Sequence, residues 1–146
     1  LVTGCVGAAE MYKLPCIAIS MGTATTIFVI DETKSMIGGA IIPGVSTSLN
    51  ALVKEGALLP SVGIHAPEKV VGKNTDECMR SGIVIGTAAM IDGMIDRIEE
   101  ETGFSCSLVA TGGLAAEVVP SCKHKIEFRD DLMLQGLRLI YEKNKK

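Results

Sequence analysis

Apolar residues fall into short β-type runs separated by turns, and into longer stretches at helical spacing. Val2, Cys5, Val6, Ala8 and Ala9 predict a short helix over Val2 to Met11, stopped by Pro15. The apolar run 15–19 and the β-rich run 25–30 read as two strands joined by a tight connection. Asp31 to Lys34 is a polar turn, and 36–42 returns as a third strand. Three strands joined by short turns make an antiparallel meander. A helix is expected over 46–54, capped by Ser46 or Thr47. Residues 58–71 carry Pro60, Pro67 and a single His65 and read as an irregular loop, in which His65 is a solvent-facing residue before it is a ligand.

Asn74 opens the longest predicted helix, over 74–100, with Glu77 at capping-box spacing and Asp76 and Glu77 at the positive end of the dipole. Met79, Ile83, Met90 and Met94 form its apolar stripe. Gly82, Gly86 and Gly93 allow close approach of another element, either a second subunit or the core. Residues 107–110 read as a buried strand, and Leu114 to Glu117 as a helix start. Ile126 to Phe128 can form a short edge strand. A last helix, capped by Asp130 or Asp131, runs through Tyr141.

Two turns carry candidate chemistry. Ser20-Met21-Gly22-Thr23-Ala24-Thr25-Thr26 places one glycine and three threonines between strands. A glycine lets backbone approach a bulky anion, and N–H groups and hydroxyls are phosphate donors. An ordinary hairpin turn has the same composition. Thr111-Gly112-Gly113 lies between a strand and a helix, where N–H groups meet a nucleotide, or where a plain β-α turn sits. Gly38-Gly39 allows close approach to a ligand or marks a β-bulge. There is no Walker A loop around Lys73 and no G-x-G-x-x-G.

Composition narrows the picture. A 146-residue chain rich in Ile, Val, Leu, Ala, Met and Gly, without Trp, suits one α/β domain. A net charge of -3 gives no electrostatic case for nucleic acid or an anionic membrane. No apolar run is long enough to span a bilayer, and no signal peptide is visible. The five cysteines, Cys5, Cys16, Cys78, Cys106 and Cys122, have neither zinc nor disulfide spacing and read as buried, reduced thiols of a cytoplasmic protein. The chain opens at Leu1 in a helix-compatible stretch, as a segment of a longer protein would.

Several stretches occur together in one order: Gly22-Thr23-Ala24-Thr25-Thr26, Gly38-Gly39-x-Ile41-x-Pro43-Gly44, Leu59-Pro60 and Gly72-Lys73-Asn74-Thr75. Ser81-Gly82 with Gly86, Asp92-Gly93, Thr111-Gly112-Gly113 and Leu134-x-Gly136-Leu137 follow. This set resembles the C-terminal half of a type III pantothenate kinase, across essentially the whole chain. The resemblance implies a ribonuclease-H-like domain of the sugar-kinase/actin-like ATPase superfamily, with a mixed sheet, antiparallel meander and flanking helices. Residues 1–146 would form the C-terminal domain of a two-domain, dimeric protein whose N-terminal domain is absent here. Its reaction would be phosphorylation of pantothenate by ATP with Mg²⁺, the first step toward coenzyme A.

By the same resemblance, Gly22 and Thr23 would contact ATP phosphates. Thr111, Gly112 and Gly113 would form the adenosine motif, and Thr75 would bind pantothenate across the dimer while also capping its helix. Ser20 occupies the position where the family has an aspartate that holds a monovalent cation, K⁺ or NH₄⁺, and a neutral hydroxyl makes that ion doubtful. The general-base aspartate would fall immediately before Leu1, and the arginine after it corresponds to Leu1, so no catalytic residue is assigned within the chain. Two readings follow. The expected one is a kinase whose isolated segment is inactive, favoured by Thr23, Thr75 and Thr111-Gly112-Gly113. The alternative is a non-catalytic, nucleotide- or metabolite-binding regulatory homologue, favoured by Ser20 and Leu1.

Overall fold

The computed structural model describes residues 1–145. β1 (Cys16–Met21), β2 (Ala24–Ile30) and β3 (Met36–Pro43) form the expected antiparallel meander. β4 (Ser107–Thr111) and the short β5 (Glu127–Phe128) lie parallel to β1 on its other side, giving the order β3-β2-β1-β4-β5. Parallel neighbours need long crossovers. Here the connection from the meander to β4 runs through α2 (Val45–Glu55), α3 (Thr75–Arg80) and α4 (Gly86–Thr102). α5 (Ala115–Val118) links β4 to β5, while α1 (Val2–Met11) and α6 (Leu132–Asn144) begin and end the chain.

Strand alternation sends side chains into two cores. Ile17, Ile19 and Met21 of β1 pack with Val84, Ile91 and Ile95 on the α4 face. Cys16 and Ala18 pack with Ala8 and Leu132 on the opposite face, under α1 and α6. Those two helices cross at Gly7 and Gly136. A Cβ on Gly136 would lie 2.8 Å from the Thr3 carbonyl carbon, which accounts for the glycine in Leu134-x-Gly136-Leu137.

Several expectations are corrected locally. The α2 N-cap is Gly44, with no side-chain cap; the Thr47 hydroxyl donates instead to the Thr23 carbonyl at 2.9 Å. The long helix is not uniform: a π-helical segment, Ser81–Ile85, separates α3 from α4. At its start the Asn74 side chain accepts from the Glu77 N–H as expected, but the Glu77 carboxylate accepts from Lys73 rather than from Asn74. The run Thr75–Thr102 is long and apolar enough by composition to cross a membrane, contrary to the expectation of no such run. Its Val84, Ala88, Ile91 and Ile95 are buried in the core.

Gly82, Gly86 and Gly93 meet no neighbouring element: a Cβ at Gly82 or Gly93 would find nothing within 4 Å. Core packing therefore does not explain them. Gly38-Gly39 is a bulge region, with a register shift at Val29/Ile30 and Gly39 pressed against β2, so the glycine pair serves strand pairing rather than a ligand. Asp131 precedes α6, but its carboxylate accepts from Arg129 and Gln135 instead of capping the helix. All five cysteines are free; Cys5 and Cys16 are buried, whereas Cys78 is exposed, unlike the expected buried thiol.

Candidate functional site

Three turns meet at one end of the sheet. In the β1–β2 turn, the Gly22 N–H donates to the Ala24 carbonyl at 3.1 Å. The Thr23 carbonyl accepts from the Gly44 N–H at 3.1 Å and from the Thr47 hydroxyl at 2.9 Å. These bonds fix the turn against the N-terminus of α2 and leave Thr23 exposed. Gly44 has no room for a side chain, because a Cβ there would stand 2.7 Å from the Thr23 carbonyl carbon.

The β4–α5 turn closes from the other side. Gly112 has φ +107°, in the left-handed region that glycine tolerates. A Cβ on it would fall 2.7 Å from the Met21 carbonyl carbon and 2.8 Å from the Met21 nitrogen. Gly113 faces open space. The structure thus brings Gly22, Thr23, Gly112 and Gly113 together through backbone contacts of β1.

Ser20 pairs in register with Thr26 on one side and Thr111 on the other. Period-2 alternation puts the three hydroxyl side chains on one face of adjacent strands. They line a cavity of about 170 Å³ that Leu1, Gly4, Cys5, Leu132 and Met133 also line. The Thr111 hydroxyl donates to the Asp130 carbonyl at 3.5 Å. Burial pushes the Cys5 thiol up, so that wall is neutral as well. The three threonines after Gly22 therefore have different fates: Thr23 is exposed at the turn, Thr25 is fully buried in β2, and Thr26 joins Ser20 in the cavity.

Thr75 lies elsewhere. It is the first residue of α3, exposed, and lines an open groove of about 690 Å³ with Leu52, Leu59, Lys73, Cys78 and Gly82. None of the residues at the three turns lines that groove. His65 is exposed in its loop and lines neither space.

The chemistry of these donors is uniform. No carboxylate lines the Ser20 cavity, and among the described residues no cluster of three or more His, Cys, Asp or Glu side chains is present. A hard cation favours charged oxygen ligands. The residues around Ser20 do not fit a tightly held K⁺ or NH₄⁺. The turns offer hydroxyls and backbone, which suit phosphate oxygens. Sequence reasoning named Thr26 only within the threonine turn, Gly44 only within the Gly38 to Gly44 stretch and Thr47 only as a helix cap, and it passed over the Asp130 carbonyl. The even spacing from Ser20 through the hairpin would have flagged Thr26; the other contacts depend on tertiary approach.

Comparison with known proteins gives the chain's relatives and fold. The family model described as type III pantothenate kinase covers residues 1–97. A type III pantothenate kinase of Rhodospirillum rubrum is 45% identical over 139 residues, covering 95% of this chain and 54% of that protein. One from Rhodococcus jostii is 39% identical over 147 residues, covering 98% of this chain and 54% of that protein. The chain spans about half the length of the curated relatives it matches. Among solved structures, a conserved Campylobacter jejuni protein described as a Baf family transcriptional activator aligns with TM-score 0.70 at 17% identity, over 95% of this chain and 62% of that one. Inorganic polyphosphate/ATP-glucomannokinase from Arthrobacter sp. strain KM aligns with TM-score 0.50 at 13% identity, over 99% of this chain and 55% of that one. The fold is that of the actin-like ATPases and sugar kinases.

Proposed function

The chain belongs to the type III pantothenate kinase family, and from that premise we propose that the intact protein phosphorylates pantothenate with ATP. Residues 1–146 form the C-terminal, nucleotide-holding domain of a two-domain enzyme on this reading. The observation that carries it is the meeting of the Gly22-Thr23 turn and the Thr111-Gly112-Gly113 turn at the end of β1, where Gly112 has no space for a side chain. Two bare-backbone turns pressed together make a surface that a polyphosphate can approach closely.

Thr23 donates its hydroxyl to the phosphates, and Thr111 to Gly113 receive the adenosine. Thr75 binds pantothenate, in a groove that the open glycine face of α4 brings to a second subunit in a homodimer. Mg²⁺ offsets charge on the transferring phosphoryl group when bound. The described residues provide no acidic cluster for it, so it belongs with the ATP phosphates rather than with this chain. Five free thiols suit a cytoplasmic location.

The test is an ADP-release assay with pantothenate, run on the intact protein and on the 146-residue chain, with Thr23→Val in each. Expected are turnover by the intact protein, MgATP binding without turnover by the chain alone, and loss of both on Thr23→Val. Turnover by the chain alone that Thr23→Val abolishes would overturn the two-domain reading. A second reading, a nucleotide-binding regulatory homologue without kinase activity, is favoured by Ser20 and its carboxylate-free cavity. MgATP binding by the intact protein without pantothenate-dependent ADP release would select it.

A further inference from the structure

Asp92 is a buried carboxylate, 8% exposed, on the inner side of α4. Burial of a carboxylate is costly unless charge or hydrogen bonds compensate it. Its partners are two successive backbone donors: the Lys123 N–H at 2.7 Å and the His124 N–H at 3.0 Å. One helical turn further along, Asp96 meets the His124 ring, Oδ1 to Nε2, at 2.6 Å. Two carboxylates at i and i+4 therefore grip one short segment: Asp92 holds the Lys123 and His124 backbone, and Asp96 holds the His124 ring.

Those residues close a hook that begins at the nucleotide turn. Its front end is Gly112, wedged against Met21, with the Ala115 N–H donating to the Gly112 carbonyl at 3.2 Å. α5 follows and runs straight into a 3₁₀ turn, Val119–Ser121. Ala115 and Val118 are fully buried against Val84, Ala88 and Ile91 of the long helix. The back end is Cys122 to His124. Here the Cys122 thiol approaches the Ala88 carbonyl, and burial together with the Asp92 charge pushes that thiol up to about 12. α5 is too short to hold its own orientation, since isolated helices below about 12 residues are marginal. Its orientation is set from outside, by the wedge at Gly112, its buried face and the anchored far end.

We infer that Asp92 is a positioning residue that locks the nucleotide turn at Thr111-Gly112-Gly113 to the helical run that carries Thr75. The inference deepens the kinase reading: the two halves of the proposed site sit on separate elements, and Asp92 is a polar tie between them. A neutral amide in its place offers one acceptor oxygen for the two N–H groups, and charge-assisted bonds are about twice as strong as neutral ones. Asp92-Gly93 thus gains a role that neither cavity described above assigns to it.

The experiment is residue-resolved amide hydrogen exchange on the wild-type chain and on Asp92→Asn, with MgATP titration of both. Asn accepts through one oxygen only and turns an N–H toward the second donor. Exchange over 112–118 and at Lys123 and His124 should rise about 10-fold or more, from the loss of a charge-assisted bond, while β1 and β2 are unchanged. MgATP dissociation should weaken by a similar factor. In the wild type, 112–118 and 122–124 should open as one unit. Faster exchange confined to Lys123 and His124, with 112–118 and MgATP affinity unchanged, would make Asp92 a local cap and overturn the inference. If the wild-type chain binds no MgATP, the assignment of a nucleotide-holding role to this segment fails separately, and the exchange pattern still decides the role of Asp92. If Asp92→Asn does not fold, the wild-type pattern decides: separate opening of 112–118 and 122–124 refutes the tie.

Discussion

The most direct test of the site geometry is Gly112→Ala, with Gly113→Ala beside it. The two glycines are adjacent and equivalent in sequence, yet their surroundings differ. At Gly112 a methyl group would stand 2.7 Å and 2.8 Å from the Met21 carbonyl carbon and nitrogen, and closer still to its oxygen. Those atoms are backbone at the end of β1, the central strand, and have no rotamer by which to retreat. The residue is also held at φ +107°. Backbone strain of that kind costs about 1–3 kcal/mol, and overpacking about 1–3 kcal/mol more. The sum, about 2–6 kcal/mol, is a large part of a domain's stability and lowers Tm by the order of 10 °C. At Gly113 nothing lies within 4 Å and φ is not positive, so alanine there should change stability by less than about 1 kcal/mol. Urea unfolding of both variants measures the difference, and MgATP titration shows whether the displaced turn still binds. Equal stabilities, or a Gly112→Ala loss below about 1 kcal/mol, would refute the claim that this turn is wedged against β1.

Gly86→Leu adds bulk at a position where, among the described residues, no element outside its own helical run lies within 4 Å; if that position faces a second subunit, the variant should be monomeric or insoluble, and an unchanged dimer by light scattering would place the contact elsewhere. Ser20→Asp restores a carboxylate to a neutral cavity, so ATP turnover of the intact protein should become dependent on K⁺ over Na⁺ only in the variant; a strongly K⁺-dependent wild type would contradict the charge argument. Hydrogen bonds from Lys143 and Lys34 hold the Glu10 carboxyl down from 4.5 to about 2, so the folded state binds fewer protons there. This stabilisation is present above 4.5 and lost as pH falls toward 2; Glu10→Gln should remove that part of the acid dependence of the urea midpoint, and an unaltered profile would show that the pair contributes nothing.

The meander was legible because β1, β2 and β3 combine strand composition with short polar turns, and both features are local. The long helix was legible in extent, since Asn74 and Glu77 mark its start; its end, read at residue 100, lies two residues on at Thr102, where Gly103 at φ 71° stops it. Its π-helical segment was not, because nothing in Ser81 to Ile85 distinguishes an added residue per turn from a regular one. The α2 cap was misassigned for a physical reason: Gly44 takes the N-cap position, so Thr47 falls inside the first helical turn, and its hydroxyl donates to the Thr23 carbonyl, 24 positions away. The glycines show the same limit. Gly44, Gly112 and Gly136 are required by backbone that arrives from distant parts of the chain, whereas among the described residues a Cβ on Gly82 or Gly93 would meet nothing within 4 Å and one on Gly86 only the Ser81 carbonyl of its own helical run. The grouping of Ser20, Thr26 and Thr111 needed the strand register, which the turn spacing indicates for Thr26 but not for Thr111.

The charge inventory of the site limits what these residues can do. The β1–β2 turn, Gly44, the β4–α5 turn and the Ser20 cavity contain no ionised side chain. Neutral hydroxyls and N–H groups can hold a polyphosphate in place, with each hydrogen bond worth about 0.5–1.5 kcal/mol net. They do not remove a proton from an alcohol, nor do they offset the charge that spreads over a transferring phosphoryl group, which falls to cations and a carboxylate base in this chemistry. On the proposed reading, then, this domain acts as the wall that positions ATP, and the acid–base and charge-compensating groups come from other parts of the intact protein. A wall of this kind contributes through orientation, where small displacements are costly. That is why the rigid contacts that hold the turns, Gly112 on Met21 and Asp92 on the far end of the hook, matter more to the proposed activity than any further donor at the turns.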